Sequence, residues 1–111
     1  MASLLNKKCN SCDEAVTPLD SVELRKFSTE LSRGWKIVNG HHLEKIFSFK
    51  DFKEALAFTN MVGALAEEEG HHPDIDLSWG KVRVVLWTHH INGLSEKDFI
   101  LAAKIDQFTE K

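Results

Sequence analysis

The chain has 111 residues, 42% of them hydrophobic and 28% charged, with a formal net charge of −3. This is the size of one ordinary globular domain with one core, and the slight acidity argues against a broad basic footprint for nucleic acid or anionic lipid. No apolar run approaches the roughly 18 residues of a membrane span, and MASLLNKKCNSC lacks the pattern of a signal peptide, so a cytoplasmic protein with a small-molecule or protein partner is expected.

Residues 1–16 carry little periodic pattern and read as an N-terminal arm ahead of a single domain over 17–111. The arm holds both cysteines, Cys9 and Cys12, as one C-x-x-C with no strand before it, which speaks against a redox site of the βα type. A zinc site would need two further ligands in a recognisable half-pattern, and that half-pattern is missing. The pair therefore reads as two free thiols, and no metal is expected.

The first helix follows Pro18. Asp20 and Glu23 have the spacing of a capping box, Leu24, Phe27 and Leu31 share one face, and Gly34 stands where a helix commonly stops. Trp35 to Val38 is β-prone, Asn39-Gly40 signals a two-residue hairpin turn, and Leu43, Phe47 and Phe49 alternate along the return strand. Lys45 falls on that apolar face, so the face opens to solvent or a partner there, or the lysine reaches out along its stem.

A second helix is predicted from Asp51, where Glu54 completes capping-box spacing, to Glu69, with Gly70 closing it. Ala55, Phe58, Val62, Leu65 and Ala66 form its apolar face. Glu67, Glu68 and Glu69 crowd its last turn, the wrong sign for a helix C-terminus. Glu67 lies four residues before His71 and is within reach of an imidazole just past the helix end.

A second hairpin runs from Asp74 to Trp79, turns at Gly80 and returns through Val82, Val84, Leu86 and Thr88. Asn92-Gly93 ends it, and Ser95 is a good N-cap with Asp98 at the third helical position. The last helix, through Phe108, is apolar over most of its circumference: Phe99, Ile100, Leu101, Ala102, Ala103, Ile105 and Phe108 cannot all face one core, which predicts an oligomer. The order helix, hairpin, helix, hairpin, helix makes an α+β fold, a four-stranded antiparallel sheet with three helices on one face.

Four of the six histidines stand in two adjacent pairs, His71-His72 and His89-His90, that bracket the second hairpin. Neighbouring residues in extended backbone point to opposite sides, so such a pair does not readily chelate one metal. Imidazole titrates near neutrality, and two imidazoles flanking a substrate supply a general acid and a general base. With no nucleophile motif, phosphate loop or cofactor fingerprint, dehydration or isomerisation fits best. His41 and His42, beside the first turn, read as ordinary surface or satisfied core residues, and His90 joins them.

The residues Glu67, His71, His72, Pro73, Trp79, His89 and Asp98 fill the signature of the pterin-4a-carbinolamine dehydratase family, which the chain closely resembles. The likeness extends to the C-x-x-C arm, the Gly34-Trp35 pair, FSFKDFKEALAF and THHINGLSEKDFILAAKID, and so covers nearly the whole chain. It implies an enzyme that removes water from 4a-hydroxytetrahydropterin to give quinonoid dihydropterin, recycling the pterin of an aromatic amino acid hydroxylase without metal or organic cofactor. His71 and His89 would be the acid–base pair and His72 would orient the pterin. Glu67 would tune a histidine, Trp79 would shape the site from its turn, Asp98 would serve as site residue and helix cap together, and Thr88 completes the set expected around the substrate. The family forms dimers or tetramers, and some relatives act as dimerisation cofactors or assembly factors, which makes a non-enzymatic interaction protein the rival reading. Two positions depart from the family pattern, His90 where an acidic residue is common and Trp87 where a small polar one is.

Overall fold

The computed structural model describes residues 20–29, 31 and 34–109. The arm with Cys9 and Cys12 lies outside the described residues. In chain order the elements are α1 (Ser21–Ser28), β1 (Lys36–Val38), β2 (His42–Ser48), α2 (Phe52–Glu69), β3 (Asp74–Ser78), β4 (Lys81–Leu86), a short 3-10 turn (His89–Ile91) and α3 (Glu96–Asp106). The strands form one antiparallel sheet in the order β1-β2-β4-β3, so the second hairpin docks through β4 onto β2. This is the expected α+β architecture, α-ββ-α-ββ-α.

Strand register decides which face is buried. Leu43 pairs with Leu86, Phe47 with Val82 and Val82 with Leu77, so alternate residues of all the strands project toward the helices. There they meet Ala55, Phe58 and Val62 of α2 and Phe99, Leu101 and Ile105 of α3 in one core. The α2 helix begins as its sequence predicts, with the Asp51 side chain accepting from the Glu54 N–H at 2.9 Å, and Gly70 ends it in the left-handed region at φ 69°.

Three local readings need correction. First, α1 has the expected capping box but stops at Ser28, well short of Gly34. The hydroxyls of Ser28 and Thr29 bond back to the carbonyls of Arg25 and Lys26 at 2.9 and 2.7 Å, meeting the helix end with side chains where a glycine cap was expected. Gly34 serves a different purpose: at φ 104° it passes over the Lys45 stem, where an added Cβ would lie 3.1 Å from Cε. Second, Asn39 and Gly40 both have positive φ, as the hairpin signal requires, but Val38 pairs with His42, so the connection holds three residues. Third, β4 ends at Leu86, and Thr88 instead forms an isolated bridge with Gly93.

Lys45 neither opens the core nor escapes from it. Its ammonium lies 2.9 Å from Oδ1 of the buried Asp106 and stands over the rings of Phe47 and Trp35, at 4.7 and 5.8 Å from their centroids. The Trp35 indole N–H donates to the same carboxylate at 3.0 Å. The end of α3 is thereby tied to β2 and to the loop before β1.

The apolar circumference of α3 is covered within one chain: Phe99, Ile100, Leu101, Ala102, Ala103 and Ile105 are all buried. The helix is enclosed by the sheet, α1 and α2, so its composition does not itself call for a second subunit. Among the described residues no helix is long and apolar enough to cross a membrane.

The outer face of the sheet is held by charge. Arg83 on β4 donates to Glu44 on β2 at 2.9 Å and to Asp76 on β3 at 2.8 Å, a row across three strands. The Arg83 hydrogen bond holds the Glu44 carboxyl below its ordinary value.

Asp106→Ala, which removes the buried carboxylate that receives Lys45 and Trp35, is expected to cost about 3–5 kcal/mol in urea unfolding. Because the Glu44 value is lower folded than unfolded, its contribution is complete above the unfolded value and disappears as pH falls through the folded one. Arg83→Leu should therefore flatten the acid limb of the thermal midpoint plotted against pH.

Candidate active site

The site forms where three elements end together. The left-handed Gly70 turns the chain out of α2, and the N–H of His71 still reaches the carbonyl of Ala66 at 3.2 Å. That turn sends His71 inward, with its side chain 11% exposed, and His72 outward, 61% exposed. The expected alternation within the pair is observed, and Pro73 keeps His72 from joining the helix.

Beneath His71 lies Asp98. Its carboxylate is fully buried, and Nε2 of His71 stands 2.6 Å from Oδ1. The other oxygen accepts the Thr88 hydroxyl at 2.9 Å and the Ser95 N–H at 2.9 Å. The Ser95 and Thr88 hydroxyls lie 2.7 Å apart, so with Thr88 donating to Asp98, Ser95 donates to Thr88. A buried carboxylate is tolerated only when such donors replace water. Asp98 thus caps α3, as its spacing from Ser95 suggested, while its other oxygen meets His71.

The third element is the loop after β4. Thr88 and Gly93 bridge its base, with the Thr88 N–H on the Gly93 carbonyl at 2.8 Å, and the 3-10 turn between them ends on Asn92 at φ 51°. This turn carries His89, exposed, with its ring stacked on Trp87 at 3.9 Å between centroids and 23° between planes. A cleft of about 310 Å³ results, lined by Gly70, His71, His72, Trp87, Thr88, His89 and Lys97. The volume is at the small end of ligand sites.

Of the residues singled out in the sequence, His71, His72, Thr88 and His89 line this cleft, and Asp98 lies directly behind His71. Glu67 contacts a different histidine from the one its spacing suggested: its carboxylate lies 2.5 Å from Nε2 of His72, on the exposed rim. The turn at Gly70 has rotated His71 away from the helix surface on which Glu67 sits. Trp79 does not join the group within one chain. It occupies the β3–β4 turn, 68% exposed, whereas the histidines stand at the other end of that hairpin, about 17 Å away for five residues of strand. The His90 side chain lies outside the described residues.

Lys97 escaped notice in the sequence, Trp87 stood out there only as a departure from the family pattern, and His41 was given no part in the site. Lys97 stands on the first turn of a helix, where a lysine ordinarily faces water, yet it is buried against the cleft. His41, read as a surface residue, lies 4.5 Å from the Trp87 ring and places Nε2 3.0 Å from Oδ1 of Asn92. Only the pairing of β2 with β4, which the sequence pattern does not specify, brings the first hairpin's histidines to this loop. Among the described residues no group of three or more His, Cys, Asp or Glu side chains is arranged to hold a metal.

Residues 17–108 match the family model described as pterin 4 alpha carbinolamine dehydratase. The chain belongs to the pterin-4a-carbinolamine dehydratase family. Two bacterial relatives are both named "Putative pterin-4-alpha-carbinolamine dehydratase". The protein of Alkaliphilus metalliredigens is 54% identical over 107 residues, covering 96% of each chain. That of Rubrobacter xylanophilus is 47% identical, covering 96% of this chain and 99% of its own. Among solved structures, a transcriptional coactivator/pterin dehydratase from Brucella melitensis superposes with a TM-score of 0.79 at 32% identity, over 85% of this chain and 100% of the other. A pterin dehydratase-like RuBisCO assembly factor of the alpha-carboxysome gives 0.61 at 26% identity, over 71% and 93%.

The dehydratase-family site makes one mutational demand on its framework. Thr88→Val keeps the side-chain shape but removes a donor from Asp98 and the acceptor of the Ser95 hydroxyl, so it should cost about 1–3 kcal/mol. Urea unfolding measures this, and an unchanged midpoint would contradict the geometry.

Proposed function

We propose that the chain is a dehydratase that removes water from 4a-hydroxytetrahydropterin to give quinonoid dihydropterin. The observation that carries the reading is the buried Asp98–His71 pair opening into a cleft that also holds His72 and His89. The reaction asks for little beyond proton management. A lone pair on the ring nitrogen beside C4a expels the hydroxyl, the C4a–O bond breaks, a proton joins the departing oxygen to make water, and a ring nitrogen gives up a proton.

His71 and His89 divide that work. With its Nε2–H directed at Asp98, neutral His71 turns the lone pair of Nδ1 away from the carboxylate, and the imidazolium formed on taking a proton is stabilised by Asp98. His71 is therefore the base, and His89, exposed at the mouth, delivers the proton to the leaving hydroxyl. His72, steadied by Glu67 on the rim, orients the pterin. Thr88 acts through Asp98, and Trp79 is left without a part in the cleft of one chain. Neither proton transfer draws on a metal or organic cofactor. The fitting setting is cytoplasmic recycling of the pterin used by an aromatic amino acid hydroxylase, in a homodimer or homotetramer.

A second reading, an interaction protein that assists assembly, is favoured by the likeness to the assembly factor and the coactivator. The two separate in one experiment. Purified protein should speed loss of the 4a-hydroxy intermediate in a coupled phenylalanine hydroxylase assay, and His71→Ala or His89→Ala should each remove about 10²-fold or more of that acceleration. A folded but inert wild type would leave the interaction role in possession.

A further inference from the structure

The two proposed proton carriers are held in unlike ways. Asp98 fixes His71 by a hydrogen bond within a buried network. His89 stands exposed on a 3-10 turn of three residues, and among the described residues no side chain hydrogen-bonds its ring. A surface imidazole on so short a turn exchanges rotamers on the ps–ns scale. A general acid must nonetheless stand within about 2.6–3.2 Å of the atom it protonates.

Trp87 supplies what His89 lacks. It is the last residue before Thr88, half-buried, and its ring lies parallel to the His89 imidazole to within 23° at 3.9 Å. Its own orientation is set from two sides. The indole N–H donates to Asp74 at 3.4 Å, on the strand that follows His72 and Pro73. The ring also meets His41 at 4.5 Å, and His41 bonds to Asn92, the residue that closes the turn carrying His89. Trp87 therefore links both histidine segments of the cleft and lines it.

We propose that Trp87 is a positioning residue for His89, holding the imidazole in one orientation at the cleft mouth through the ring stack. This rests on the dehydratase reading for its catalytic consequence, and on geometry alone for its structural one. The role differs from substrate binding: a tryptophan that clamped the pterin would act on KM, whereas one that aims the acid acts on kcat.

The test uses the full-length protein with Trp87→Leu and Trp87→Phe, each checked by thermal melting. Imidazole proton resonances are recorded by NMR, with His89→Gln to assign the His89 signals. In the wild type the His89 signals should be shifted upfield by the indole ring current, and Trp87→Leu should return them to the position of an exposed histidine. In the same variant kcat should fall about 10- to 100-fold, the scale of loss when a reacting group is misplaced, with KM unchanged. Trp87→Phe, which keeps a smaller ring, should retain part of both signals, and it remains informative should the leucine variant not fold.

Unmoved His89 resonances in the leucine variant, a wild-type kcat after the stack is lost, or a rise in KM with kcat intact would each overturn the proposal. If the wild type proves inert as a dehydratase, the proposed reaction fails on its own account. The resonance shifts still decide whether Trp87 holds His89.

Discussion

The structure turns on one buried carboxylate. Asp98 has no solvent exposure, and the energy of keeping it there is met by donors from three different parts of the chain: His71 beyond α2, Thr88 beyond β4 and the N–H of Ser95 at the start of α3. Displacing any of those segments would strand a charge in the core. The same constraint aligns the ends of the elements and aims an imidazole into the cleft, so helix capping, loop docking and site geometry are one interaction.

The second buried carboxylate, Asp106, does comparable work at the far end of α3. There Lys45 and Trp35 converge on it, joining the helix to β2 and to the loop before β1. An apolar helix tied at both ends by buried charge cannot slide along its groove. Its register against the sheet, and with it the height of Asp98 under His71, is thereby fixed. The glutamates closing α2 fit the same pattern. Glu69 is buried against Lys104 of α3 at 2.8 Å, and Glu67 is taken up by His72, so the unfavourable sign at that helix end is met by partners outside the helix.

What could be read from the sequence follows from the range of the physics involved. Helix starts at Asp20, Asp51 and Ser95, the left-handed stop at Gly70 and the turn residues Asn39 and Gly40 are local, and each was legible because a few neighbouring residues decide it. The strand alternation showed which residues face inward. It could not show that β4 lies beside β2, and so His41 gave no sign of reaching Trp87. Helical spacing pairs Glu67 with His71, but it no longer applies past the positive φ of Gly70, and Glu67 meets His72 instead. The apolar surplus of α3 is by itself no sign of a second subunit, because a helix can be enclosed on all sides by its own chain.

Under the proposed reaction, His71 and His89 are held differently because an acid and a base need different surroundings. A base that begins neutral and becomes charged gains from a fixed anion behind it, and a buried, hydrogen-bonded carboxylate provides one without reorganisation during the reaction. An acid that must hand a proton to a departing hydroxyl is better placed near water, from which it can be recharged, and so it cannot be anchored in the same dry network. Ring stacking resolves that conflict. It restrains the imidazole by contact on one face and leaves both nitrogens open, and Trp87 stands where such a contact is made. In the proposed dehydration, the buried pair and the exposed stack are two answers to one requirement, that both proton carriers hold their aim while only one is sealed from solvent.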